Sequence, residues 1–339
     1  MRRKTFLAFV LPSVLLMTLF IAVPLVTVLL QSFSNTEQVF REETAENCSP
    51  GFPNPVCATE THTVPVLDGS GRPETRTAWV GLENYAALLQ PDAIRAALDG
   101  GGIGALDTID FFKALRFTLT FTIVTLPLVI GLGLALALAL NVTVSAIRGP
   151  VIFVSLLPFI ITPVIGALSI RWLFDSDGIL TAALRALLGH PVSMLSHDWT
   201  LELLMMGYRV WNAAPFAFII FYAGLQGVNA DTMEAAVIDG ASRWERLRHV
   251  TIPHLAPLIL FVALIHLMDA YRVFDEVVGF SSQAYVISLQ WLTFDLLTPN
   301  ASGVRAIGRA SASSMLTMLG IVLLLTPPLA RSWRDRRRP

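Results

Sequence analysis

The sequence predicts an all-α membrane protein with six transmembrane helices and both termini cytoplasmic, on three observations. Of its 339 residues 54% are hydrophobic and only 14% charged, with a strongly positive mean hydropathy, a balance that a soluble domain does not sustain. Six apolar runs are each long enough to cross a hydrocarbon core of about 30 Å. The basic residues gather in alternate loops, as positive charge does on the cytoplasmic side of a membrane. A net charge of −1, with Lys4 and Lys113 the only lysines, excludes nucleic acid as a partner.

Arg2, Arg3 and Lys4 precede an apolar run over 6–31. The run exceeds the roughly 7 to 15 residues of a signal-peptide core and lacks a small-residue cleavage site, so it is read as an uncleaved first span. Residues 32–116 are polar and carry the turn-forming clusters NCSPGFPNP, LDGSGRP and DGGGIG, which predicts an extramembrane loop. Further apolar runs cover 117–140, 151–174, 201–225, 257–274 and 308–330, with Pro127, Pro158, Pro163 and Pro215 inside three of them. Proline is costly within a soluble helix, but a membrane bundle re-satisfies the freed backbone groups. The stretch 283–297 is apolar but short and carries Asp295, so it is expected in the outer interface or as a re-entrant piece.

With both ends on one side, that side receives Arg148, Arg243, Arg246, Arg248 and the arginines from Arg331 onward, whereas the other side's shorter loops offer only Arg185 and Arg305. That side is the cytoplasm. The chain thus divides into 1–31, a tail and first helix; 32–116, a periplasmic or extracytoplasmic loop; 117–330, a five-helix core with a polar segment at 229–257; and 331–339, a basic tail. Cys48 and Cys57 then face an oxidising compartment, separated by Pro50, Gly51, Pro53 and Pro55. They either stay as two thiols or close a small loop, with a disulfide expected.

The polar segment 229–257 reads NADTMEAAVIDGASRWERLRHVTIPHLAP. Asp231, Glu234 and Asp239 fall near the start of a predicted helix, where carboxylates suit the positive end of its dipole. Ala235, Ala236 and Ala241 keep its surface small, Gly240 permits a sharp turn and Pro253 fixes the return into the next span.

Glu234-Ala235-Ala236, Gly240 six positions after the glutamate, and Val250-x-Ile252-Pro253 resemble the EAA loop of the membrane subunits of binding-protein-dependent ABC importers. The likeness extends to Gly81-Leu82-Glu83-Asn84-Tyr85, Gly224-Leu225-Gln226, the Phe274-Asp275 pair and the G-x-A-x-A-S element from Gly308 to Ser313, all similar to the maltose-transporter-like sugar permeases. Two departures stand out. Val277 to Ser282 replaces a T-GGP element, and the outer loop before Trp79 is longer.

The resemblance implies a type I ABC importer permease fold in a bacterial inner (plasma) membrane. It implies as partners a second homologous permease in a heterodimer, two ATP-binding subunits, an extracytoplasmic solute-binding protein, a carbohydrate and the lipid membrane. It implies ATPase coupling through Glu234, Ala235, Ala236, Asp239, Gly240 and Pro253. The chain itself has no G-x-x-x-x-G-K-[ST] loop. ATP and Mg are therefore expected on the partner ATPase, with no cofactor on this chain and no catalytic role for it.

For the pathway, Tyr208, Trp211, Asn212, Asp269, Tyr271, Arg272 and Asp275 carry the aromatic faces, amides and charges that a sugar site uses. Ionisable groups at membrane depth face a cavity or each other, and Asp269 is placed to pair with Arg272 one turn along. An internal ion pair holding helices together and interfacial anchoring by Trp and Tyr are the structural alternatives. His190, His197, His249, His254 and His266 show no metal-ligand spacing, and no Ser-His-Asp scaffold is visible. A permease for a non-sugar solute, an ion-gradient-driven secondary transporter, which should show inverted repeats, and an intramembrane enzyme are the competing classes.

Overall fold

The computed structural model describes residues 3–49, 56–67, 69, 74–97, 99, 102–190, 193–299 and 304–335. The chain falls into two compact units, Met1–Arg95 with Thr293–Leu316, and Ala96–Leu292 with Thr317–Pro339.

The first unit begins with α1 (Arg3–Met17), which runs through a π-helical turn at Thr18–Ala22 into α2 (Val23–Ser32). Its apolar stretch Phe9–Ser32 is 24 residues long. The polar region that follows, expected as loop, contains two antiparallel ladders. Strand β1 (Ser34–Gln38) pairs with β4 (Thr75–Trp79), and β2 (Phe40–Ser49) pairs with β3 (Val56–Pro65). Segments such as VCATETHTVP are rich in Thr and Val, β-branched residues that favour extended backbone. The β2–β3 register sets Cys48 opposite Cys57. Their side chains lie outside the described ones, as do residues 50–55 between them.

Helices α3 (Glu83–Leu89) and α4 (Pro91–Ala96) follow, and the GLxNY element explains how they are held. Gly81 takes φ +58°, a region that glycine enters without a Cβ penalty. Buried Asn84 donates from Nδ2 to the Ser32 and Ser34 carbonyls, at 3.0 Å each, and the Tyr85 hydroxyl donates to Ser32 Oγ at 2.8 Å. Phe33 stacks on Trp79 at 5.5 Å between centroids. Gly308 is bare for the same reason, because a Cβ there would fall 2.6 Å from Asn84 Nδ2.

The second unit is a helical bundle. A 3₁₀ turn at Ile103–Thr108 leads to α5 (Asp110–Asn141), then α6 (Ser145–Ile160), α7 (Pro163–Leu173), α8 (Ile179–Leu188) and α9 (Asp198–Leu225). The expected third span is not one rod, since α6 and α7 meet at 93°. Pro163 is the reason: it disfavours helical backbone in the residue before it, and Thr162 is extended at φ −56°, ψ 127°. Thr162 has therefore left the helix that would have used its N–H on the Pro158 carbonyl. Asn212 Nδ2 replaces it at 2.7 Å, and one turn away on α9 the Tyr208 hydroxyl donates to the Pro163 carbonyl at 2.8 Å.

After α9 come α10 (Ala230–Ile238), α11 (Arg243–Arg246), a π turn at Leu247–Thr251 and α12 (Ile252–Tyr271). Short α13 (Asp275–Gly279) and α14 (Leu289–Leu297) precede α15 (Ile307–Asp335). At nine residues α14 is too short to span. Among the described residues five helices are long and apolar enough to cross a membrane, or six if the bent α6–α7 pair counts as one span.

Helix α5 lies along α9 with Gly133 at the crossing, where a Cβ would come 2.6 Å from Ala217 Cβ. Phe117, Phe121, Leu201 and Met205 form one buried cluster of this bundle, and Val129, Phe218, Phe221 and Leu255 a second. Van der Waals packing of this kind holds membrane helices together where burial from water offers little.

Candidate functional site

Two places in the second unit hold polar groups that packing alone does not demand. One is the exposed segment carrying α10 and α11. The other is a charged cluster deep between α9 and α12.

Helix α10 is capped at both ends by its own sequence. The Asn229 side chain accepts from the Asp231 amide at 2.8 Å, satisfying one of the orphan donors of the first turn. At the other end Gly240 takes φ +79°. Its N–H donates to the Val237 carbonyl at 3.0 Å, and the Ala241 N–H reaches back to the Ala236 carbonyl at 2.9 Å. This pair of bonds is the Schellman motif. It gives a physical reason for the EAA-x3-G spacing: the last alanine of the triplet supplies the carbonyl that the residue after the glycine closes on.

Ser242 then starts α11 with a capping box, accepting from the Glu245 amide at 3.3 Å while its own N–H donates to Glu245 Oε2 at 2.7 Å. The π turn follows and runs without a break into α12, so Pro253 lies within one continuous helix, just after the π turn that interrupts its regular hydrogen-bond ladder.

No residue of α10 is buried. Glu234, Ala235, Asp239, Gly240 and Pro253 are exposed and Ala236 half-buried. Beside them Ile238 is 85% exposed and Trp244 67%. Large apolar side chains bared on a capped, rigid segment are the usual sign of a partner surface. Ile238 and Trp244 were not among the sequence candidates, although an isolated Ile and Trp within a polar run could have marked them.

The second cluster centres on Arg209 of α9. Its Nη1 donates to Glu276 Oε1 at 3.1 Å, and its Nη2 is paired with Asp269. The expected Asp269–Arg272 pair does not form. Arg272 points out, its Nε donating to the Met268 carbonyl at 3.2 Å, and the partner of Asp269 comes from another helix. The physical reason is depth: at the end of α12 Arg272 reaches the surface, whereas Arg209, mid-helix, has no such escape.

The guanidinium side chain is 8% exposed and Glu276 2%, but Asp269 is 59% exposed. Arg209 Nε has no hydrogen-bond partner among the described residues. A cavity of about 190 Å³ opens here, lined by Arg209, Asn212, His266 and Asp269 with Val129 and Phe216 on its apolar side. His266 Nε2 and Thr125 Oγ1 are 2.9 Å apart, which fixes the imidazole between α12 and α5.

Of the seven pathway candidates, Asn212 and Asp269 line this cavity. Tyr208 ties down the α6–α7 break, as Asn212 also does. Trp211 lies 44% exposed near Tyr208, with 6.1 Å between ring centroids. Tyr271 is 1% exposed, its hydroxyl packed on Gly320 of α15. Asp275 opens α13. Arg209 and Glu276 were missed in the sequence, yet an arginine in the middle of an apolar run is the same signal that drew attention to Asp269. Among the described residues no group of His, Cys, Asp and Glu can hold a metal ion.

Comparison with known proteins places this geometry in context. The fold matches the membrane chain of a bacterial alginate ABC transporter crystallised with its alginate pentasaccharide-bound periplasmic protein, at a TM-score of 0.69 and 19% identity, covering 99% of this chain and 96% of that one. A probable ABC transporter permease protein, y4oQ of Sinorhizobium fredii, is 25% identical over 267 residues, 76% of this chain and 77% of that protein. The trehalose/maltose transport system permease protein MalF of Thermococcus litoralis is 30% identical over 194 residues, 56% of this chain and 64% of MalF. Residues 110–326, from the start of α5 into α15, match the family described as binding-protein-dependent transport system inner membrane component. With that match over more than half its length, this multi-pass inner-membrane chain belongs to the binding-protein-dependent transport system inner membrane components, the permeases of ABC importers.

Proposed function

We propose that the chain is the permease subunit of an ATP-driven importer and forms half of the translocation pathway for a carbohydrate handed over by a solute-binding protein. The observation that carries this reading is the α10–α11 segment. It is exposed, locked by its own caps, and bears Glu234, Ile238 and Trp244 toward solvent. Relatives that transport trehalose and maltose, lactose, and arabinooligosaccharides support a carbohydrate as cargo.

In this reading the chain is not an enzyme. ATP and Mg are held by two partner ATP-binding subunits, a second homologous permease completes a heterodimer, and both termini of this chain are cytoplasmic. Residues 32–116 form the extracytoplasmic region, residues 117–330 the core, and 331–339 a basic cytoplasmic tail, with Cys48 and Cys57 joined as a disulfide. Closure of the ATPases around ATP moves α10, and linkage requires the reverse influence of equal size on ATP binding. Glu234, Ala235, Ala236, Asp239, Gly240 and Pro253 make this coupling surface, and Tyr208, Trp211, Asn212, Asp269, Tyr271, Arg272 and Asp275 border the pathway.

The test is purification of the tagged chain from its native membrane in mild detergent, followed by mass spectrometry. A P-loop ATPase and a second EAA-loop permease should accompany it, and Glu234→Lys should remove the ATPase while the chain still inserts. A chain that comes alone in two detergents, or normal uptake by Glu234→Lys, would overturn the reading.

A further inference from the structure

We propose that this permease's half of the pathway admits uncharged saccharides and rejects sugar acids and sugar phosphates, because the charged cluster at its cavity presents a carboxylate to the solute and keeps its only guanidinium behind. The inference rests on the importer reading and adds the charge class of the cargo.

An arginine beside a cavity in a sugar permease invites the opposite assignment, an anion site. The geometry opposes it. Two acids bracket Arg209: Glu276 holds Nη1 from the protein side, and Asp269 holds Nη2 from the cavity side. Both terminal nitrogens of the guanidinium are therefore engaged by acids, and the acid that faces the cavity is Asp269. The exposures show which group a solute meets, since the Asp269 side chain is 59% open and that of Arg209 only 8%. An anionic sugar entering here approaches a carboxylate first and finds the guanidinium's two terminal nitrogens already taken.

The rest of the lining adds no cation to reverse this. Asn212 spends Nδ2 on the Pro158 carbonyl and keeps its amide oxygen, an acceptor. His266 is engaged with Thr125, and Arg272, which points out, does not line the cavity. Acceptors such as the free lone pairs of Asp269 and the Asn212 oxygen suit hydroxyl donors, which every neutral sugar has in number. The apolar wall of Val129 and Phe216 suits the C–H face of a pyranose.

The test uses the assembled complex in nanodiscs without its binding protein, so that the binding protein's own selectivity does not enter. Ligand-observed saturation-transfer NMR then compares trehalose and maltotriose with trigalacturonate and glucose 6-phosphate, each at millimolar concentration. The neutral sugars should give signals stronger than the anionic ones by about fivefold, the scale of one like-charge contact at about 4 Å screened by bulk water. Asp269→Asn, an exposed and nearly isosteric change, should shrink that ratio severalfold while the complex still elutes as one assembly. Equal signals from the anionic probes, no signal from the neutral ones, or an unchanged ratio in a well-assembled Asp269→Asn complex would overturn the assignment. The importer reading is decided separately by co-purification of the ATPase, so the two can fail independently.

Discussion

Arg209 is a buried cation that holds two acids inside the bundle. Removing it leaves Glu276, 2% exposed, without its counter-charge, and an uncompensated buried charge costs about 3–5 kcal/mol. Arg209→Met should therefore lower the thermal midpoint of the detergent-solubilised protein sharply, and Arg209→Met with Glu276→Gln should recover much of the loss. An additive double variant would mean that the pair is not coupled. A second residue-scale expectation concerns Cys48 and Cys57. Directly opposed residues of an antiparallel pair have Cα atoms about 4.5–5.5 Å apart, inside the range that a disulfide bridges, and the register sets these two opposite each other. Maleimide should label neither in intact cells until a reductant is added; labelling without reductant would show free thiols.

At the scale of elements, the α5–α9 crossing is the most extensive helix–helix contact of the core. Gly133→Val should destabilise the protein by about 1–3 kcal/mol through overpacking, because its Cβ would meet Ala217 Cβ at 2.6 Å. Ala217→Gly in the same chain should restore part of the thermal midpoint, and no restoration would place the strain elsewhere. How much of these elements the sequence discloses depends on the range of the interaction. The long spans are legible because lipid imposes twenty apolar residues on each, and the turn that ends α10 is legible because Gly240 acts within a turn of itself. The ladders in 32–116 were not, since two-sided polar strands lack the alternation that betrays a buried face. The Arg209–Asp269 pairing was not either, because it joins positions 60 apart on two helices, and local spacing favoured Arg272.

At the scale of the whole molecule, sidedness hangs on whether the bent pair α6–α7 crosses. If it did not, the chain would cross only five times and the ends would lie on opposite sides. The arginines at 243–248 and from 331 onward would then lie on the side opposite Arg2, Arg3 and Arg148, against the positive-inside bias. Length allows the crossing. Helix α6 has 16 residues, about 24 Å at 1.5 Å each, and extended Ile161 and Thr162 add about 7 Å at strand rise. Together they match the roughly 30 Å core, so α7 is free to lie along the far interface rather than continue across. The prediction is made on a background with Cys48 and Cys57 replaced by serine. Asp177→Cys, exposed just beyond α7, should react with an impermeant maleimide in intact cells. Val142→Cys, 85% exposed in the turn before α6, should react only once the membrane is opened. The same sidedness for both positions would mean that the α6–α7 break is a re-entrant loop, and the arginine-rich α10–α11 segment could then not meet an ATPase in the cytoplasm.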